Sequence, residues 1–145
     1  MAGTTMAAFK TALVAAITAE GSINVPVSYG DPGDLGRREH IWLGATTPLE
    51  SETVSFKAGR KRRQESYSVE VVIEVLNDSH PEDAETRACA LSAIIEAMLA
   101  DDPKVNDVTN LLFAVLEDME METTQTGEGV RTVLTMSVRV EARLL

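Results

Sequence analysis

The clearest rhythm in the chain has a period of two. Tyr67, Val69, Val71, Ile73 and Val75 alternate with Ser66, Ser68, Glu70 and Glu74, which predicts a strand with one buried and one wet face. The alternation returns near the C-terminus, with Val130, Thr132, Leu134, Met136, Val138 and Val140 on one side. Arg131, Thr135, Ser137, Arg139, Glu141 and Arg143 fall largely on the other. Leu111 to Thr123 reads as the hairpin partner of this last strand, joined to it through Gly127, Glu128 and Gly129. Shorter strand signals lie at Glu39 to Ala45, around Ile41, Trp42 and Leu43, and at Thr53 to Phe56. Between Phe56 and the long strand stand Ala58, Gly59, Arg60, Lys61, Arg62 and Arg63, so a β-hairpin with a basic tip is expected. Val25 to Tyr29 is a short extended piece, and its Pro26 restricts it to the edge or start of a strand. Gly30 to Gly36 is a turn-rich loop.

Helical spacing replaces the alternation twice. Met6, Phe9, Leu13 and Ile17 recur at three- and four-residue intervals, with Ala12 and Ala16 on the same side, and Gly21 is placed to end that helix. Ser79 and Glu82, with Pro81 between them, have the form of a capping box. The helix that follows lays down Ala84, Ala88, Leu91, Ile95, Met98 and Leu99 before Asp101, Asp102 and Pro103 stop it. This order predicts an α+β fold: a single twisted, largely antiparallel β-sheet with two helices packed on one face, residues 1–145 forming one domain.

Composition narrows what such a domain does. The net charge of −10 repels phosphate backbones, and one Trp, two Tyr and three Phe leave little for stacking bases. The lone Cys89 forms no internal disulfide, and with only His40 and His80 it makes no zinc set. A reducing interior such as cytoplasm is the natural setting. No apolar run reaches the roughly 18–20 residues that cross a bilayer, and no positive charge precedes Lys10 as a secretory signal requires. No membrane role is expected.

Nor does the chain display catalytic apparatus. His40 and His80 lack the neighbours of a metal or general-base motif, and no nucleophile elbow is present. The spacing of Gly30, Gly33 and Gly36 matches neither a Walker nor a Rossmann loop. Glu117, Asp118, Glu120 and Glu122 interleave with Met119 and Met121 as a solvated or lumen-facing flank rather than a metal cage. The reading is therefore not an enzyme, with no cofactor. Arg60, Lys61, Arg62 and Arg63 read as an electrostatic docking point, the positive tip of one copy meeting the negative flank of the next. The strands at Ser66 to Leu76 and Val130 to Leu144 are expected to offer the edges that neighbours complete.

From Met6 to Leu145 the chain resembles the tail terminator proteins of long-tailed bacteriophages, including their tail-completion relatives. The most specific part is Val25-Pro-Val-Ser-Tyr-Gly30, leading through the glycine loop to Arg37-Arg-Glu39 and Ile41-Trp-Leu-Gly44. The hairpin, the long Ala-rich helix and a last strand ending Val140-Glu-Ala-Arg-Leu144 follow. The resemblance implies a ring, commonly a hexamer, at the head-proximal end of the tail tube. There it ends tail polymerisation and joins the tail to the head connector, so its partners are other copies of itself, the tail tube protein and a head-completion or connector protein. DNA passes only in transit through the lumen. The candidate subunit-interface residues are Arg60, Lys61, Arg62 and Arg63, with Arg37, Arg38 and Trp42. Alternatives are another head–tail neck subunit, a small-ligand enzyme with Trp42, His40 and the glycine loop lining a pocket, and a DNA-binding domain using the basic tip.

Overall fold

In the computed structural model the described residues are 3–33, 38–55, 62–78 and 80–144. The first helix, α1 (Met6–Ala19), buries Phe9, Leu13 and Ile17, the stripe its spacing predicts. Thr4 Oγ1 accepts the Met6 N–H at 3.2 Å, but the N-cap Thr5 makes no side-chain cap bond. A further acceptor comes from strand β3 (Arg62–Asn77), where the Glu65 carboxylate takes the Thr5 N–H at 3.0 Å and the Thr5 hydroxyl at 3.1 Å. Thr4 Oγ1 donates to the other Glu65 oxygen. An anion at the positive end of a helix is favourable, so this contact between residues 60 apart in sequence fixes where α1 starts and ties it to the sheet. Tyr67 lies under the same helix with its ring edge-on to Phe9 and its hydroxyl 2.8 Å from that of Thr5. Burial pushes the Tyr67 phenol up to about 12; the Thr5 hydrogen bond opposes this and the Glu65 charge adds to it.

Among the described residues the sheet is five-stranded and open, in the order β1 (Val27–Ser28), β2 (Glu39–Ser55), β3, β5 (Gly129–Leu144), β4 (Leu111–Thr126). Every pairing is antiparallel except the two-residue contact of β1 with β2. The second helix, α2 (Pro81–Asp101), buries Ala84, Ala88, Leu91, Ser92, Ile95 and Leu99. These pack with the α1 stripe and with Tyr67, Val69, Val71 and Ile73 of β3 and Leu134, Met136, Val138 and Val140 of β5 in one core cluster. Both helices therefore cover one face, as the alternation predicts. Among the described residues no helix is long and apolar enough to cross a membrane.

Four expectations change. The two short strands expected at Glu39–Ala45 and Thr53–Phe56 fall, as far as Ser55, in one strand: β2 runs 17 residues through register shifts at Leu43/Thr46, Pro48/Glu50 and Thr53/Ser55, and Phe56 lies outside the described residues. Each shift reverses the phase of the alternation, so a period-two reading loses the strand between them. At the first shift Glu70 Oε2 accepts the Ala45 N–H at 3.3 Å, and a Cβ on Gly44 would lie 2.8 Å from that oxygen. Second, Arg62 and Arg63 do not belong to a turn; they open β3, paired with Ser55 and Thr53 of β2. Third, the N-cap of α2 is His80, without a side-chain cap bond; the proposed cap Ser79 lies outside the described residues, while Pro81 opens the helix as expected. Fourth, β3 and β5 are interior strands, each paired on both sides, and so have no free edges to offer.

Candidate assembly surface

The strand order leaves β4 at the rim of the sheet, with β5 its one strand partner among the described residues. Near its start the Ala114 N–H reaches back to the Pro103 carbonyl at 2.7 Å, and the Met119 N–H is taken by Asp118 Oδ1 at 2.8 Å. Beyond these, the outward backbone of 115–126 has no strand partner among the described residues. A long rim of unpaired N–H and C=O groups is a template for another strand. Natural edges are commonly blunted by charged side chains, Pro, bulges or short length. The 16-residue β4 contains neither Lys nor Pro, though it does carry the carboxylates Glu117, Asp118, Glu120 and Glu122 and register shifts at Leu111/Phe113 and Leu116/Asp118.

Its side chains reinforce this reading. Of the seven large hydrophobics exposed among the described residues, five are on β4: Leu112, Phe113, Val115, Met119 and Met121. Paired residues of neighbouring strands share a face, so the register assigns them. Met119 and Met121 oppose the buried Met136 and Leu134 on the helix-covered side. They are nonetheless exposed, although α2 packs against β4 as well as β3 and β5 and the same core cluster includes Leu111 and Ala114 of β4. An open cleft of about 490 Å³ remains there, lined by Glu82, Glu85, Thr86 and Cys89 of α2 and by Met121. On the opposite face Phe113 and Val115 stand beside Glu141 and Arg139, while Asp118, Glu120 and Glu122 stand beside Ser137, Thr135 and Val133. One rim strand thus carries thioethers on one side and aromatic, aliphatic and carboxylate groups on the other.

The helix-free face has a polar network of its own. Glu141, nearly buried, accepts from Ser66 Oγ at 2.5 Å, Gln64 Nε2 at 3.1 Å and Arg139 Nε at 2.9 Å. Burial alone raises its pKa, but these three donors and the Arg139 charge pull it below the usual carboxylate range. Arg139 also approaches Glu117 at 3.7 Å. A second open trough, about 450 Å³, runs across this face past Thr47, Ser68, Glu70, Asp118 and Ser137. Among the described residues no group of three or more His, Cys, Asp or Glu side chains is arranged to hold a metal ion.

The residues singled out in the sequence are dispersed. Arg37, Arg60 and Lys61 lie outside the described residues. Arg38 is exposed and bonds Asp78 at 2.7 Å, while its carbonyl accepts the Leu76 N–H. Trp42 is 9% exposed, paired with Val72 and stacked on His40 with ring centroids 4.7 Å apart. His40 Nε2 is 3.7 Å from Glu74, which Arg131 also holds at 2.8 Å; His40 Nδ1 is buried without a partner. The described glycines of the loop do not join this pair in either measured cleft; Gly33 sits at φ +73° in a turn closed by Asp31. Sequence reasoning places β4 on a hairpin and finds its carboxylates but misses the rim. The available signal is apolar residues at both parities over Leu111 to Leu116, more than a strand with one wet face needs.

No family model matches the chain, and no curated protein matches it significantly.

Proposed function

We propose that the protein is a virion structural subunit that assembles with copies of itself into a ring at the head-proximal end of a phage tail tube, ending tube growth and presenting a face to the head connector. The observation that carries the assembly half of this reading is β4, a 16-residue rim strand bearing five exposed large hydrophobics. Burial of such groups drives association, at about 25 cal/mol for each Å² of apolar surface removed from water. The tail-terminator half is supported by the resemblance that runs from Val25-Pro-Val-Ser-Tyr-Gly30 through Ile41-Trp-Leu-Gly44 to the last strand. A net charge of −10 suits a channel that a genome must traverse without sticking. The test is electron microscopy of particles assembled without the protein. Overlong tails without heads support the reading. Tails of normal length beside full heads that leak DNA overturn it in favour of a neck plug.

A further inference from the structure

The exposed apolar residues sit on the two opposite margins of the sheet, at matching positions. Five are on β4; the other two among the described residues, Tyr29 and Leu49, stand at the far margin, just after β1 and on β2. Residues paired on successive strands form rows that cross the sheet at right angles to the strands, so the registers show which positions of the two margins share a row. Ser28 lies in one row with Trp42, Val72, Thr135 and Glu120. Tyr29, one residue further on, comes beside Leu43 and thus falls in the row of Val71, Met136 and Met119. Leu49 falls between the row of Pro48, which ends at Ala114, and the row of Glu50, which ends at Phe113. The faces agree as well. Lys10 of α1 lies over the Tyr29 ring at 4.3 Å, which puts Tyr29 on the helix-covered side with Met119, whereas Leu49 lines the helix-free trough, the side of Phe113 and Val115.

Charge separates the occupants that such a margin could take. Two β4 strands side by side would set Asp118, Glu120 and Glu122 of one copy against those of the other, and like charges opposite one another on paired strands are unfavourable. The far margin brings a cation instead. Lys10 makes no salt bridge among the described residues, and neither do Glu82 and Glu85, the carboxylates of the open cleft between α2 and β4. Within one molecule they stay apart, because four strand spacings of about 4.8 Å put roughly 19 Å between β1 and β4, more than twice the Debye length of about 8 Å at physiological salt. Contact with a second molecule removes that separation. Three antiparallel steps from β2 to β4 leave those strands running in opposite directions, so a copy displaced sideways in the plane of the sheet lays its β2 antiparallel to β4 with its helices on the same face.

We propose that the β4 margin receives the β1–β2 margin of a second copy of this chain: Tyr29 and Lys10 of one copy enter the cleft beside Met119 and Glu85 of the next, while Leu49 meets Phe113 on the other face. The contact joins two different surfaces, so each copy keeps one of each open for a further copy, and such a series closes into a ring when the rotation between copies divides a full turn. The inference rests on the ring reading above and specifies its contact.

The test uses full-length proteins whose folding is confirmed by circular dichroism. Cys89, the chain's one cysteine, lines the cleft, and Gly30 beside Tyr29 is exposed with open space around it. Gly30→Cys treated with a short bis-maleimide is therefore expected to give a ladder of trimers and larger species in denaturing gels, whereas wild type and Gly30→Cys/Cys89→Ser, with one thiol each, stop at dimers. In sedimentation velocity Lys10→Glu and Glu85→Lys should each associate about tenfold more weakly than wild type, and an equimolar mixture should associate more tightly than either, because each then offers the complement of the other. The inference is overturned if Gly30→Cys stops at dimers, if the mixture binds no more tightly than the single variants, or if the wild-type chain is monomeric throughout. Tail length in particles lacking the protein is a separate readout, so overlong tails combined with a missing ladder retain the terminator reading and remove this contact.

Discussion

Replacing Glu65 with Ala tests how α1 is held to the sheet. Glu65 is 6% exposed and Thr5 4%, so the Thr5 amide and hydroxyl that it accepts have little access to water once the carboxylate is gone. An orphaned buried donor costs about 1–3 kcal/mol. The Thr5 hydroxyl keeps Tyr67 as a partner and the exposed Thr4 regains solvent, so the sum is about 3 kcal/mol rather than the full total of three lost bonds. A chain of this length unfolds with an entropy of about 0.3 kcal/mol per kelvin, which turns that loss into a fall of about 10 °C in the melting midpoint. Glu65→Gln keeps an oxygen acceptor and loses only the charge, so about 1 kcal/mol is expected. Thermal and urea denaturation followed by far-ultraviolet circular dichroism measure both, and amide exchange over residues 6–9 reports whether the first turn frays. A loss below about 0.5 kcal/mol for Glu65→Ala, with unaltered exchange in that turn, refutes the reasoning.

Three further outcomes follow from local geometry. Gly129 sits at φ +132°, and an added Cβ would lie 2.3 Å from the Asn77 carbonyl oxygen; Gly129→Ala is therefore expected to cost about 2 kcal/mol or more in urea unfolding, and a neutral result contradicts the close approach. Asp107 is exposed with φ 56°, so Asp107→Gly should raise stability by about 0.5 kcal/mol, the relief of left-handed strain exceeding the entropy glycine adds to the unfolded chain; a lower melting midpoint counts against this. Burial pushes the Tyr67 phenol up to about 12 from an ordinary 10.0, so its stabilisation is complete below pH 10 and declines as pH rises from 10 to 12, by about 2–3 kcal/mol. Tyr67→Phe should flatten that alkaline limb, and an unchanged slope would assign it to other groups.

How far the fold shows in the sequence depends on whether each signal is local. Tyr67 to Val75 and Val130 to Val140 read clearly because one face is apolar but for Thr132 and stays in phase throughout. The β2 strand does not, because its shifts at Leu43/Thr46 and Pro48/Glu50 reverse the phase and make one strand look like two. The Glu65–Thr5 contact leaves no trace in any window, since its partners meet only when β3 lies under α1. The turn after α2 is hidden for a related reason: Val105, Asn106 and Asp107 all take positive φ without a glycine among them, and the buried Val105 side chain helps hold a conformation that propensity alone disfavours. The candidate surface is only half legible. The β4 carboxylates and apolar residues are plain in the sequence, but their position at the rim follows from β5 inserting between β3 and β4, a non-local choice that also removes the free edges expected of Ser66 to Leu76 and Val130 to Leu144.

The central claim is that self-association closes over the β4 rim, and amide hydrogen exchange resolved by residue, at protein concentrations below and above the association midpoint, tests it most directly. Outward-facing amides within 115–126 are expected to exchange rapidly in the monomer and to gain protection as copies associate, while β3 and β5 amides remain slow throughout. Association that leaves exchange across 115–126 unchanged would contradict the account.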